Sequence, residues 1–135
     1  MTAVDHEQLV ARMPFAVALG VRINSVNAEE VRGHLDWAAE RCTSGGVLHG
    51  GAVMALADSI GAICAFLNLP EGAHTATIES KTNFFRAVRE GTLHAVSRPL
   101  HVGRTNIAVQ TELLDAAGRR VGHTTQTQAV LSTNS

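Results

Sequence analysis

Asp58 stands near the middle of "VLHGGAVMALADSIGAICAFLNL" (47–69), which is apolar almost all round from Gly50 onward. An ionised carboxylate in such a helix is costly unless it is paired, solvated or used. Put to use, it is a nucleophile or a general base for water. Nine residues before it comes His49, followed by Gly50 and Gly51 where the helix begins. First-turn amides have no intrahelical acceptor. With the helix dipole behind them and no side chains in the way, they suit a developing oxyanion. Three plainer readings compete. Asp58-Ser59 can be the N-cap of a second helix, Asp58 can be the buried partner of an Arg, and the Gly pair can serve only a tight helix entry.

Helix rise limits how these groups can cooperate. Gly50 and Asp58 are eight residues apart, which is about 12 Å along one axis. A base or nucleophile and an oxyanion donor must each approach one carbonyl to about 3 Å. One straight helix cannot bring both there. Two antiparallel helices from chains on a twofold axis can, with Asp58 of one facing Gly50 of the other, so the site is expected at a dimer interface. Gly51, Met54, Ala55, Gly61, Ala62 and Ala65 flank Asp58 and are mostly small. Val53, Leu56, Ile60, Ile63 and Leu67 fill the opposite side, where their bulk suits packing on a sheet.

Other chemistries have less support. The seven His residues form no HExxH or other tight ligand spacing, so no metal is expected. No Gly-x-Ser-x-Gly elbow occurs. Cys42 lies near His49 in sequence, a weak signal for a Cys–His nucleophile. Cys42 and Cys64, 22 residues apart without a CxxC, read as reduced structural thiols.

The elements that must position these residues follow from pattern. "DHEQLVARM" (5–13) reads as a short amphipathic helix with Leu9, Val10 and Met13 inward. "VRINSVN" and "EVRGHLDW" read as two strands joined at Ala28-Glu29, and "AAERCTSGG" as a loop. The long helix follows, stopped by Pro70. Residues 75–88, 92–102, 105–115 and 119–131 are β-branched and partly alternating, separated by "REG", "GR" and "AAG" turns. Gly118 suits the positive φ of a hairpin turn. Adjacent strands with short links mean an antiparallel sheet, so the class is α+β. Wrapping that sheet around the helix is the simplest way to bury it.

At 135 residues, with 45% hydrophobic and 17% charged residues, one globular domain over 1–135 is expected. A formal net charge of −1 without like-charge runs argues against nucleic acid or an anionic membrane as main partner. Residues 50–69 match a bilayer in length, but Asp58 at their centre and the missing aromatic belt favour a core helix. "MTAVDHEQLVARM" shows no signal-peptide pattern, so a cytoplasmic protein is expected.

"LHGGAVMALADSIG" and the stretch from "TIESKTNFFRAV" through "HVGRT" to "TQTQAVL" together resemble the hotdog-fold acyl-CoA thioesterases. The similar branch includes 4-hydroxybenzoyl-CoA, phenylacetic-acid-pathway and 1,4-dihydroxy-2-naphthoyl-CoA thioesterases. The resemblance covers roughly residues 40–131. It implies a five- or six-stranded antiparallel sheet around a central helix, assembled as a homodimer or homotetramer. It also implies hydrolysis of a small or aromatic acyl-CoA without a cofactor, coenzyme A being part of the substrate. Asp58 would be nucleophile or general base, Gly50 the oxyanion amide, and His49 a group that binds the thioester carbonyl. The chain departs from the pattern at Thr43, where relatives often have Asn or Gln, and at Ala62, where Ser or Thr is common. Thr77, supplied from the partner chain in some relatives, would compensate. Arg86, Arg89, Arg98, His101 and Arg104 gather in the strand region, and Arg suits bidentate phosphate contact. The likeness favours Arg104 and Thr105, with Arg86 and His101, for the nucleotide. A non-catalytic acyl-CoA-binding module and an enoyl-CoA hydratase of the same fold are the alternatives.

Overall fold

A computed structural model describes residues 6–132, so Asp5, the first residue of the expected N-terminal helix, and the rest of 1–5 lie outside the described residues. Two short helices, α1 (His6–Ala11) and α2 (Pro14–Leu19), precede strands β1 (Arg22–Val26) and β2 (Val31–Asp36). The long helix α3 runs Gly50–Phe66, followed by β3 (Ala73–Phe84), β4 (Thr92–Val102), β5 (Asn106–Leu114) and β6 (Arg120–Ser132). The six strands form one antiparallel sheet in the order β1-β2-β4-β5-β6-β3. It curves around α3, which packs against β2, β3, β4, β5 and β6.

The core follows the expected helix side. Leu56 and Ile60 of α3 are fully buried with Leu35 of β2, Leu93 of β4, and Ile107 and Leu113 of β5. Val53 and Ile63 join them. The β5–β6 turn is held by Asp115, whose Oδ1 accepts the Ala117 and Arg119 N–H groups (3.0 and 2.9 Å). Gly118 takes φ +81° there, as its place in the turn requires.

Several boundaries differ from the sequence reading. α2 was not expected; six residues are too few for periodicity, although Pro14 at its start and Gly20 just past its end are fitting helix punctuation. α3 ends at Phe66, four residues before Pro70, where Asn68 Nδ2 donates to Cys64 O (2.9 Å) and Ala28 O (2.8 Å). β3 stops at Phe84 and is not a neighbour of β4. The chain instead leaves the sheet edge, buries Val88, and uses Val88 O to accept the Leu48 N–H just before α3. Pro99 lies in β4 beyond the last β2 pair, Val31↔Ser97, so β2 needs no N–H from it.

Candidate active site

His49 is the N-cap of α3, with extended backbone (φ −60°, ψ 136°). Its Nδ1 accepts the Gly51 N–H at 2.7 Å, and its carbonyl accepts the N–H groups of Ala52 and Val53. An acceptor nitrogen carries no proton, so the neutral ring holds its hydrogen on Nε2, which is left free to donate. The ring lies so close over the helix entry that a Cβ on Gly51 would sit 2.9 Å from Nδ1. That is the reason for glycine at position 51. The Gly50 N–H finds no acceptor among the described residues. Around Gly50 a groove of about 390 Å³ is lined by Thr43, Phe84, Phe85, Arg86 and Val121. His49 N–H to Arg41 O, Leu48 N–H to Val88 O and the Cys42–Leu48 bridge fix this entry.

α3 is unbroken through Asp58, so Asp58 does not cap a second helix. Nor does it pair with an Arg: its partners are Thr77 Oγ1 at 3.5 Å and Gln126 Nε2 at 3.3 Å, both on Oδ1. The side chain reaches solvent in the single chain. Packing around its base still removes enough water to raise the carboxyl above its ordinary value, and the two hydrogen bonds oppose that rise. The exposed surface beside it consists of Gly51 and Met54, with Ala55 and Ala62 partly covered. Gly61 and Ala65, expected on this face, are buried against the sheet.

Thr77 meets Asp58 within one chain, from β3. The threonine is itself held by Gln128 Nε2, which donates to its Oγ1 at 2.8 Å. Thr75 Oγ1 in turn reaches Gln128 Oε1 at 3.0 Å. Gln126 and Gln128 escaped the sequence reading because "HTTQTQ" is polar on both faces and shows no hydrophobic phase. The available signal was Thr124, Gln126 and Gln128 at alternate positions of a strand that has to face the helix.

A sequence profile described as the thioesterase superfamily matches residues 45–122, more than half of the chain. This chain belongs to the thioesterase superfamily. A mutant form of the thioesterase PA1618 of Pseudomonas aeruginosa superposes with a TM-score of 0.90 at 28% identity over 96% of each chain. The 1,4-dihydroxy-2-naphthoyl-CoA hydrolase of Escherichia coli is 36% identical over 86 residues, 64% of this chain and 63% of that protein. The proofreading thioesterase EntH of Cronobacter sakazakii is 36% identical over 75 residues, 56% of this chain and 55% of the relative. The chain thus matches between half and two thirds of the length of these curated relatives. The six-stranded antiparallel sheet around α3 is the hotdog fold of the superfamily.

Among the other residues singled out in this thioesterase-superfamily chain, Arg86 lines the groove at Gly50, at the N-terminal end of α3. Arg104 and Thr105 line a separate depression of about 370 Å³ with Pro70, Glu71 and Ala73, just beyond the other end of the helix. One chain therefore does not bring them together. His101 is exposed on β4. Arg98 is engaged with Glu30 at 2.6 Å, and Arg89 Nη1 reaches Gly45 O at 3.4 Å. Cys42 donates to Ala38 O and not to His49. Cys64 is fully buried, its thiol pushed up to about 11 by burial, so it is not a ready nucleophile. No group of three or more metal-ligating side chains converges among the described residues. Among the described residues, no helix is long and apolar enough to cross a membrane.

Proposed function

We propose that this chain hydrolyses a small or aromatic acyl-CoA thioester to the free acid and coenzyme A. The observation that carries the proposal is the pairing of roles on one helix. Its entry offers two neutral donors, the Gly50 N–H and His49 Nε2–H, and its middle offers Asp58. The donors would take the carbonyl oxygen as it becomes an oxyanion. Asp58 would either attack the carbonyl carbon, expelling the CoA thiolate and leaving an anhydride for water to cleave, or take a proton from the attacking water.

Because helix rise separates Gly50 from its own Asp58 by about 12 Å, the complete site would combine two chains. The sheet edge supports this. β3 is an edge strand of 12 residues, and Ile78 and Phe84 on it, with Phe85 just beyond, are 62%, 51% and 59% exposed. Lys81, Glu79 and a bulge between Thr77 and Glu79 interrupt this edge, so its exposed apolar side chains, more than its free backbone, are what would pack on a second copy. A homodimer, or a tetramer built from it, would also bring Arg104 and Thr105 of one chain toward Arg86 of the other, so that one coenzyme A could reach both.

A cleft near Asp58 would take the acyl group. Ala62, one turn further along α3, lines this cleft of about 160 Å³ with Leu9, Met13, Ile63 and Phe66. A volume of that order holds one aromatic ring or a short chain, and Arg12 and Thr75 complete its lining. Assaying thiol release over aryl, short-chain and long-chain acyl-CoAs tests the reading. Aryl or short-chain thioesters should exceed long-chain ones at least tenfold in kcat/KM, about 1.4 kcal/mol in barrier. Binding of all without thiol release would mean a non-catalytic module; a 3-hydroxyacyl product would mean a hydratase.

The cap makes a separate prediction. An Ala Cβ at position 51 would push the His49 ring off the helix. Loss of the cap costs about 1 kcal/mol, and Ala in place of Gly regains about 1 kcal/mol of helix propensity. Gly51→Ala should therefore melt near the wild-type temperature while thiol release falls about tenfold or more, since a carbonyl donor has moved.

A further inference from the structure

We infer that Gln126 is a positioning residue that fixes the Asp58 carboxylate through Oδ1 and thereby assigns Oδ2 as the reacting oxygen. The inference rests on the thioesterase reading of Asp58 above.

Gln126 is only 1% exposed, on the row of β6 that faces α3. Its Nε2 donates to Asp58 Oδ1 at 3.3 Å, and its Oε1 is a buried oxygen with no partner among the described residues. A buried amide left half-satisfied is a poor way to build a core; an apolar side chain of the same shape would be neutral or stabilising there. What the amide does accomplish is to hold the acid. Thr77 acts on the same oxygen, and Gln128 donates to Thr77 Oγ1, which leaves the threonine hydrogen for Asp58. Two donors converge on Oδ1 and none of the described residues donates to Oδ2. The carboxylate is therefore held by one oxygen and presents the other.

The helix is shaped around this contact. A Cβ on Gly61 would overlap Gln126 Oε1 and lie 2.7 Å from its Cδ, so only glycine lets the amide reach past α3 to Asp58. The groups acting on Asp58 from β3 and β6, Thr77 and Gln126, are neutral, and its own helix face adds only Gly51, Met54, Ala55 and Ala62. Both donors stabilise the ionised acid, so removing one shifts its titration upward.

The test compares Gln126→Met, Gly61→Ala, the double variant and Asp58→Asn with the wild type on one acyl-CoA. Gln126→Met keeps the shape and loses the donor. It should lower kcat about 10- to 100-fold with KM nearly unchanged, keep or raise the melting temperature, and move the acidic limb of kcat to higher pH. Gly61→Ala leaves Gln126 in place but displaces its amide, and should reproduce the kcat loss. The double variant should add little, because both changes break one contact. Asp58→Asn inactive with Gln126→Met at wild-type kcat and pH profile would overturn the positioning role while leaving the acid's role intact. A kcat loss in Gln126→Met that merely follows a lowered melting temperature would overturn it too. Activity retained by Asp58→Asn would overturn both.

Discussion

Asp58→Asn is expected to give a folded protein, at least as stable as the wild type, whose kcat for acyl-CoA hydrolysis is lower by about a thousandfold, the middle of the range for losing a general base or nucleophile. The side chain reaches solvent in the single chain and its two partners donate, so an amide oxygen can accept from Thr77 and Gln126 without repacking. The sign of the stability effect follows from titration. Burial raises the carboxyl in the folded chain, so the folded state holds the proton more tightly than the unfolded state does. Stability contributed by this group is present at low pH and is lost as pH rises through the raised value. Above that raised value the ionised Asp58 is a liability that Asn removes. With Asp58 acting as proposed, the acidic limb of kcat/KM is expected above the ordinary carboxylate range of about 4, because only the ionised acid can attack or accept a proton. Thermal melts and a pH–rate profile check both. Lower stability in the variant, or activity within tenfold of wild type, would count against the assignment.

The expected sheet and helix appear because their signals are local. β-branched runs between Gly-containing turns read as strands, and an apolar run closed by Pro70 reads as a buried helix. What stayed hidden depends on distant partners. β3 pairs with β6 and not with β4, and between β3 and β4 the chain passes the entry of α3, where Val88 O accepts the Leu48 N–H. The acid at 58 and the glycines at 50 and 51 were legible because they break the pattern around them. Gln126 and Gln128 were not, since polar neighbours surround them, and their meaning comes only from Asp58 and Thr77. His49 was legible as a candidate but not as an N-cap, a role usually taken by Ser, Thr, Asp or Asn. Its free Nε2–H follows only from the 2.7 Å contact of Nδ1 with Gly51.

Gly50→Pro should remove the proposed oxyanion donor without unfolding the helix, and it gives the sharpest test of a site shared between chains. Proline has no N–H, and the Gly50 N–H has no acceptor to lose among the described residues. It is favoured at the first helical position, where Gly50 stands. Proline also demands an extended residue before it, and His49 already has φ −60° and ψ 136°. Loss of one such donor lowers kcat by about 100- to 1,000-fold. Asp58→Asn and Gly50→Pro chains, each inactive alone, can then be denatured together and refolded. If Asp58 of one chain works with Gly50 of the other, a mixed dimer holds one doubly damaged site and one intact site. Random pairing of equal amounts makes half the dimers mixed, so about a quarter of wild-type activity should return. If both groups served one substrate within a single chain, every site in the mixture would carry a defect and no activity would return. With Asp58 and Gly50 acting on one substrate as proposed, their separation of about 12 Å along α3 makes the first outcome the expected one.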